Sequence, residues 1–222
     1  MLKGMQKDIY FTPETIHAKS LEMLTLLASI RKRHENILIQ PGRAALLVLD
    51  MQDYFLREGS HAFIPSATAI LPNIQMLMNI FNAYDRPIIF TRHVNSPENA
   101  GMMSRWWRDL ISASSPDSKI ISSLDQSKGI VIRKSQYDAF YKSSLEQTLL
   151  ANDIAQVVIT GVMTHLCCET TARSAFVRGF EVFVTIDGTA TTTEAYHRSS
   201  LLNLSHGFAV PVLVEEILPA FE

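Results

Sequence analysis

Short apolar runs alternate with stretches of helical spacing along most of this sequence. The clearest run, residues 44–49 (AALLVL), has no polar alternation, which is typical of a strand buried on both faces of a parallel sheet. Because parallel neighbours need a crossover connection, each helical stretch is expected to link two strands across one face of the sheet. The pattern predicts an α/β fold with three layers, α/β/α, around a mostly parallel central sheet. The predicted strands are residues 44–49, 87–91, 130–132, 157–160, 182–185 and 210–214.

Helical spacing divides the chain into an arm and a domain. It predicts a first helix over residues 12–32, before the Pro41-Gly42 pair, so residues 1–40 are expected to form an N-terminal helical arm and residues 41–222 the main domain. The arm either covers apolar surface or contributes to a dimer. The remaining predicted helices are residues 70–84, 144–150, 166–178 and 194–205, and the long irregular stretch 95–127 is expected to form a wall or lid.

The amino-acid composition narrows the classes of molecule that the protein is expected to bind. The 222 residues carry a formal net charge of -2 and are 47% hydrophobic, which suits one folded core and offers no basic stripe for nucleic acid. No apolar run approaches the roughly 20 residues of a membrane span, and the first residues lack a secretory signal. The two cysteines, Cys167 and Cys168, are neighbours and are expected to be free thiols in a reducing compartment. We therefore expect a cytoplasmic protein that acts on a small molecule.

Three chemically competent residues follow predicted strands. Asp50, Lys134 and Cys167 should share the carboxyl edge of the sheet, where open α/β sheets bind ligands. Each alone has a plain structural explanation as a turn cap, a solvated side chain or inert packing. Together they predict an acyl-transfer site, because a helix start and an ammonium would lower the pKa of the thiol and a carboxylate could take and return its proton.

Four motifs carry a family resemblance. They are residues 43–55 (RAALLVLDMQDYF), 133–140 (RKSQYDAF), 160–167 (TGVMTHLC) and 170–176 (TTARSAF). The first three lie in order at predicted strand ends and the fourth in the predicted helix after the cysteine, and together they resemble the isochorismatase-like cysteine hydrolase family, from about residue 41 to the end of the chain.

The resemblance implies a catalytic machinery and an assembly. It implies a triad of Asp50, Lys134 and Cys167, a cis peptide bond between Val162 and Met163, and an oxyanion hole formed by the amides of Met163 and Cys167. It also implies a homo-oligomer, a dimer or a tetramer. Cys168, one residue after the nucleophile, would turn about 100° around the helix toward packed surface.

Four further side chains are candidates for the substrate pocket: His93, Trp106, Trp107 and His165. His165 either points into the pocket or is hydrogen-bonded at its turn, and the tryptophans either wall the pocket or anchor the 95–127 stretch.

Cofactor and metal use are expected to be absent. The nicotinamidase branch of the family has an Asp-x-His metal motif after the second strand, whereas this chain reads TRHVN over residues 91–95. A single histidine does not make a metal site, so we expect no metal and no cofactor, and the departure argues against nicotinamidase activity.

Three hypotheses about function follow. The first is hydrolysis of a small amide or related C–N bond through a thioester on Cys167. The second is isochorismate hydrolysis, a vinyl-ether cleavage with Asp50 as the acid; the resemblance supports it at His165, but those enzymes typically have Gly at the position of Cys167. The third is a non-catalytic binding protein on the same fold, against which the intact triad argues.

Overall fold

The computed structural model describes residues 7–222, and their centre is one parallel sheet of six strands. The strand order is β3-β2-β1-β4-β5-β6, and every neighbouring pair is parallel. The sheet confirms the predicted α/β class and the crossover connections. The strands are β1 (Ala44–Leu49), β2 (Ile88–His93), β3 (Ile130–Lys134), β4 (Gln156–Val162), β5 (Glu181–Ala190) and β6 (Val210–Val212).

The five predicted helices are present but differ from the prediction at their ends, and three short helices were not predicted. Residues 12–15 form a turn in which the Thr12 amide donates to Thr15 Oγ1, so the first helix begins later than predicted. The predicted last strand is too long, because the Val214 amide donates to Asp187 Oδ1 and starts a helix there. No helix of residues 7–222 is long and apolar enough to cross a bilayer. The helices are α1 (Ile16–Arg31), α2 (Asp53–Leu56), α3 (Leu71–Ala83), α4 (Met103–Trp106), α5 (Leu145–Ala151), α6 (Glu169–Val177), α7 (Glu194–Gly207) and α8 (Val214–Ile217).

The two central strands carry the core. Every residue of β1 and β4 is buried, so both faces of the sheet are covered and the layers are three. At the end of this pair Gly161 lies opposite Leu49 with φ +104, and a Cβ on Gly161 would lie 2.1 Å from the Leu49 carbonyl oxygen. Only glycine fits such an approach and such a φ. The close approach brings the ends of β1 and β4 together.

The described part of the arm, from residue 7 onward, is packed on the main domain. Helix α1 contacts α7, β5 and β6 and buries Ile16, Ser20, Met23 and Leu27. Helix α1 therefore covers apolar surface of the main domain, and a contribution of the arm to a dimer stays a prediction. Before α1, the amides of Tyr10 and Phe11 both donate to Ser66 Oγ, at 3.0 and 3.1 Å.

Candidate active site

Three ionisable side chains meet at the carboxyl edge of the sheet. Asp50 directly follows β1, Lys134 is the last residue of β3, and Cys167 lies in a π-helical turn, Thr164–Cys168, after β4. The strand order reverses between β1 and β4, and open α/β sheets bind ligands in the crevice outside such a switch point. The structure thus brings the three predicted residues together where the fold places a ligand.

The Lys134 ammonium lies between the carboxylate and the thiol. Its Nζ is 2.7 Å from Asp50 Oδ2 and 3.2 Å from Cys167 Sγ, and the side chains of Lys134 and Asp50 have no exposed surface. Nζ also donates to the carbonyl oxygens of Gln136 and Tyr137, at 2.9 and 3.4 Å. A buried charge is stable only when it is paired and hydrogen-bonded, and Lys134 meets both conditions.

Asp50 is held as a carboxylate. Its φ is +51, in the left-handed region that non-glycine residues seldom adopt. Thr91 Oγ1 accepts from the Asp50 amide at 3.1 Å and donates to Asp50 Oδ1 at 2.6 Å. Burial alone would raise the pKa of Asp50, but the Lys134 ammonium outweighs it and the pKa lies below its ordinary value. Oδ2 is the oxygen of the ion pair with Lys134, and hydrogen bonds from Cys167 and Lys134 also lower the pKa of Asp50.

The charge state of the thiol differs from the sequence-based expectation. Burial raises the pKa of Cys167 to about 12; the Lys134 ammonium lowers it, and the Asp50 carboxylate raises it further. The prediction of a lowered thiol pKa is therefore wrong, because it left out desolvation. At neutral pH the site holds a protonated thiol beside a charged carboxylate. The neighbouring Cys168 is fully buried among core residues, as predicted from its position.

His93 belongs to the hydrogen-bond shell of Lys134 as well as to the cavity wall. Burial lowers the pKa of His93 to about 4, so the ring is neutral. Nδ1 lies 3.3 Å from Lys134 Nζ and Nε2 lies 2.9 Å from Asn95 Oδ1. Since the ammonium can only donate and Oδ1 can only accept, Nε2 carries the proton and Nδ1 accepts. Asn95 is fixed in turn, because its Nδ2 donates to the Ser135 carbonyl at 2.8 Å.

The same side chains could be considered for a metal ion. Asp50, His93 and Cys167 offer ligand atoms that all lie within 4.8 Å of one another. However, the Lys134 ammonium lies 2.7, 3.3 and 3.2 Å from these three groups and already supplies the positive charge that they surround. A metal ion would have to displace this ammonium or take its proton. With Lys134 in place, the donor set does not fit a metal.

The turn that carries Cys167 has an unusual backbone. The peptide bond between Val162 and Met163 is cis, as the resemblance implied. The Met163 carbonyl then accepts from the amides of Leu166 and Cys168, at 3.0 and 3.2 Å. Both Met163 and Cys167 line the cavity in front of the turn, which is where the amides of an oxyanion hole would have to lie.

A cavity of about 380 Å³ opens over the thiol. Its wall is mainly apolar and aromatic, and the predicted 95–127 stretch supplies part of it, namely Asn95, Met103 and residues 107–111. Trp107 lines the cavity and donates from Nε1 to Tyr137 Oη at 2.5 Å. Trp106 does not line the cavity, and it is 74% exposed. Of the two tryptophans proposed from the sequence, one therefore faces the site.

Both alternatives raised for His165 hold at once. His165 lines the cavity, and its Nδ1 is 2.5 Å from Thr191 Oγ1. Its ring stacks on Tyr196 with 4.5 Å between the ring centroids. Burial lowers the pKa of His165, so the ring is neutral at pH 7.

The sequence analysis did not predict several residues that line the cavity. Tyr54 Oη lies 3.3 Å from His61 Nδ1, and that ring faces Asp109 at 3.1 Å. Lys7 donates from Nζ to the His61 carbonyl at 2.6 Å. Tyr54 and Tyr137 stand in the motifs of Asp50 and Lys134, which was a usable signal. Lys7 lies far from every motif and had none.

Comparison with known proteins identifies the family of the chain. The isochorismatase domain family model matches residues 44–216. Nicotinamidase 3 of Arabidopsis thaliana is 41% identical over 184 residues, which cover 81% of this chain and 87% of the relative. Enterobactin synthase component B of Escherichia coli (strain K12) is 32% identical over 184 residues, which cover 82% of this chain and 64% of the relative's length. A solved cysteine hydrolase from Pseudomonas syringae pv. phaseolicola 1448A superposes with a TM-score of 0.79 at 25% identity, covering 82% of this chain and 94% of that one.

Proposed function

The chain belongs to the isochorismatase family and is a hydrolase, and from this premise we propose that it cleaves a small amide or related C–N bond through a thioester on Cys167. One observation carries the proposal: a buried thiol and a buried carboxylate meet one ammonium at 3.2 and 2.7 Å beneath a largely apolar cavity. This arrangement can move a proton from sulfur to oxygen while the sulfur attacks.

The acylation half begins with the substrate carbonyl above Cys167 Sγ. As the S–C bond forms, Asp50 Oδ2 takes the thiol proton and Lys134 stabilises the charge on both groups. The carbonyl oxygen becomes an oxyanion, which accepts hydrogen bonds from the amides of Met163 and Cys167. The intermediate collapses when Asp50 returns the proton to the nitrogen. The C–N bond breaks, ammonia or an amine departs, and the acyl group stays on sulfur.

The deacylation half uses the same carboxylate. Asp50 takes a proton from water as the water oxygen attacks the thioester, and the same amides hold the second oxyanion. The C–S bond then breaks, the carboxylic acid leaves, and the proton on Asp50 returns to the sulfur. Each proton that Asp50 accepts is given back, so the cycle closes on a carboxylate and a thiol.

The second candidate function is isochorismate hydrolysis, which membership of the isochorismatase family suggests. Isochorismate hydrolysis would need Asp50 to protonate the vinyl ether and would leave Cys167 without a chemical role. The contacts that hold the thiol to Lys134 favour the amidase. A non-catalytic role would leave the buried, desolvated ion pair of Asp50 and Lys134 without a function.

The deciding experiment is a substrate screen with three variants. Purified protein is assayed for ammonia release from small amides, with nicotinamide first because of the relative named nicotinamidase 3, and in parallel for isochorismate cleavage. For the best amide, Cys167→Ala and Asp50→Asn should each lose at least about a thousandfold in turnover, because nucleophile and base act as one unit. Cys168→Ala is the matched control and should keep wild-type turnover. Isochorismate cleavage that survives Cys167→Ala would replace the amidase proposal.

A further inference from the structure

A buried histidine braces the turn that carries Cys167 from behind. His197 of α7 is fully buried, and its Nε2 lies 3.1 Å from the Ile186 carbonyl oxygen while its Nδ1 lies 2.9 Å from Thr164 Oγ1. A carbonyl oxygen can only accept, so Nε2 carries the proton and Nδ1 accepts from the Thr164 hydroxyl. Burial lowers the pKa of His197 to about 3, so this arrangement persists at neutral pH. The first residue of the turn is thereby fixed by its side chain.

A second line of hydrogen bonds reaches the next residue of the turn. His165 Nδ1 lies 2.5 Å from Thr191 Oγ1, and the Thr191 amide donates to Tyr10 Oη at 2.9 Å. Thr164 and His165 lie three and two positions before Cys167, and hydrogen bonds hold them from two directions.

Both lines meet the segment before α1. The rings of Tyr10 and Phe11 each lie 5.4 Å from the His197 ring between centroids, and 4.6 Å from each other. Both are buried, with 2% and 1% exposed. Ser66 accepts from their amides, so the segment has its own anchor on the domain. The family model begins at residue 44, so Tyr10 and Phe11 lie outside the matched range, whereas His197 lies within it.

We propose that Tyr10, Phe11 and His197 are positioning residues for the nucleophile: through Thr164 and His165 they hold the turn so that Cys167 Sγ stays beside Lys134 and Asp50. The N-terminal arm is then part of the active site's support. The inference rests on the proposed function only in taking Cys167 as the reacting group. A small displacement of a reacting atom can cost up to about a hundredfold in rate, so loss of this support is expected to reach the chemistry.

The test compares Thr164→Val with Thr164→Ser. Valine keeps the shape and removes the donor to His197, whereas serine keeps the hydroxyl and should restore wild-type behaviour. The probe is iodoacetamide, and the rate of Cys167 alkylation is followed by peptide mass at a temperature where both variants are folded. We expect alkylation about fivefold slower in Thr164→Val, because the thiol moves away from its base. For an amide that the wild type turns over, kcat should fall about 10- to 100-fold with little change in KM.

A merely structural role predicts a different result. It would lower the melting temperature of Thr164→Val and leave the alkylation rate and kcat of the folded protein unchanged. The proposal is overturned if the alkylation rate or the kcat of Thr164→Val is unchanged, or if Cys167 is alkylated faster than in the wild type. Tyr10→Phe is the second variant, which should slow alkylation through Thr191 and His165, and the half-exposed Tyr84→Phe is its control. If no amide is hydrolysed and Thr164→Val still slows alkylation, the positioning role holds and the proposed function fails.

Discussion

Replacing Asp50 by Asn leaves a buried ammonium without its counter-ion. Both side chains of the Asp50–Lys134 pair have no exposed surface, so solvent cannot screen the charge that remains. Removing one partner of a buried pair typically costs about 3–5 kcal/mol. Lys134 keeps the carbonyl oxygens of Gln136 and Tyr137 as acceptors, which offsets part of the loss. We therefore expect Asp50→Asn to lower the free energy of unfolding by about 3 kcal/mol.

The assay is a double-mutant cycle with Lys134→Met, followed by urea unfolding at pH 7. Met keeps much of the lysine's length and removes its charge, so the double variant should recover most of the stability lost in Asp50→Asn. The expected coupling energy is about 2–3 kcal/mol. At pH 7 both charges stabilise the folded state. The pKa of Asp50 is lowered on folding, so its stabilising effect is present above the unfolded pKa of 3.8. The pKa of Lys134 is raised on folding, so its stabilising effect is present below the unfolded pKa of 10.5.

A surface ion pair provides the control. Glu146 lies 3.1 Å from Arg178, and their side chains are 42% and 29% exposed. Glu146→Gln is chemically the counterpart of Asp50→Asn and should cost less than about 1 kcal/mol, because exposed pairs are screened. A coupling energy below about 0.5 kcal/mol between Asp50 and Lys134 would refute the reasoning. The double variant should regain stability without regaining turnover, which separates folding from catalysis.

Two further predictions concern the pH profile and the cavity wall. Thr91→Val removes the hydroxyl that donates to Asp50 Oδ1, so the pKa of Asp50 should rise. The acidic limb of the kcat/KM profile should then move to higher pH. An unmoved limb would contradict the role of this hydrogen bond. Trp107→Ala should raise KM for the best amide. Trp106 is exposed and lies outside the cavity, so Trp106→Ala should leave KM unchanged. Equal effects of the two variants on KM would contradict the assignment of Trp107 to the cavity.

The sequence predicted the elements that depend on burial. Strand β1 has its predicted bounds, because an unbroken apolar run can be satisfied only inside the sheet. Strand β5 is longer than predicted, running on to Ala190. Its far end contains the buried polar residues Asp187 and Thr189, and Thr191, directly after the strand, contacts His165. Apolar periodicity cannot register such residues. The helix predicted from Leu166 begins as a π-helical turn, a backbone form without a distinct apolar pattern.

The site was predictable where it depends on strand ends and was not where it depends on side-chain direction. Asp50 and Lys134 could be placed because each follows an apolar run. Trp106 and Trp107 are adjacent and identical in type, and only the short helix α4 decides which one faces the cavity. His93 was expected on the cavity wall, but its contact with Lys134 spans 41 positions of sequence.

The thiol's charge state shows why electrostatics at this site need the folded geometry. A helix start contributes about 0.3–1 kcal/mol toward a thiolate, whereas full burial can raise a thiol pKa by several units at about 1.4 kcal/mol each. A lone ammonium at 3.2 Å would oppose that rise, but Asp50 lies 2.7 Å from the same ammonium. The two formal charges cancel, and desolvation prevails. The sequence shows that an acid, an amine and a thiol meet, but not that two of them neutralise each other. In the proposed reaction the sulfur therefore gives its proton to Asp50 as it attacks, and losing either group should stop the same step.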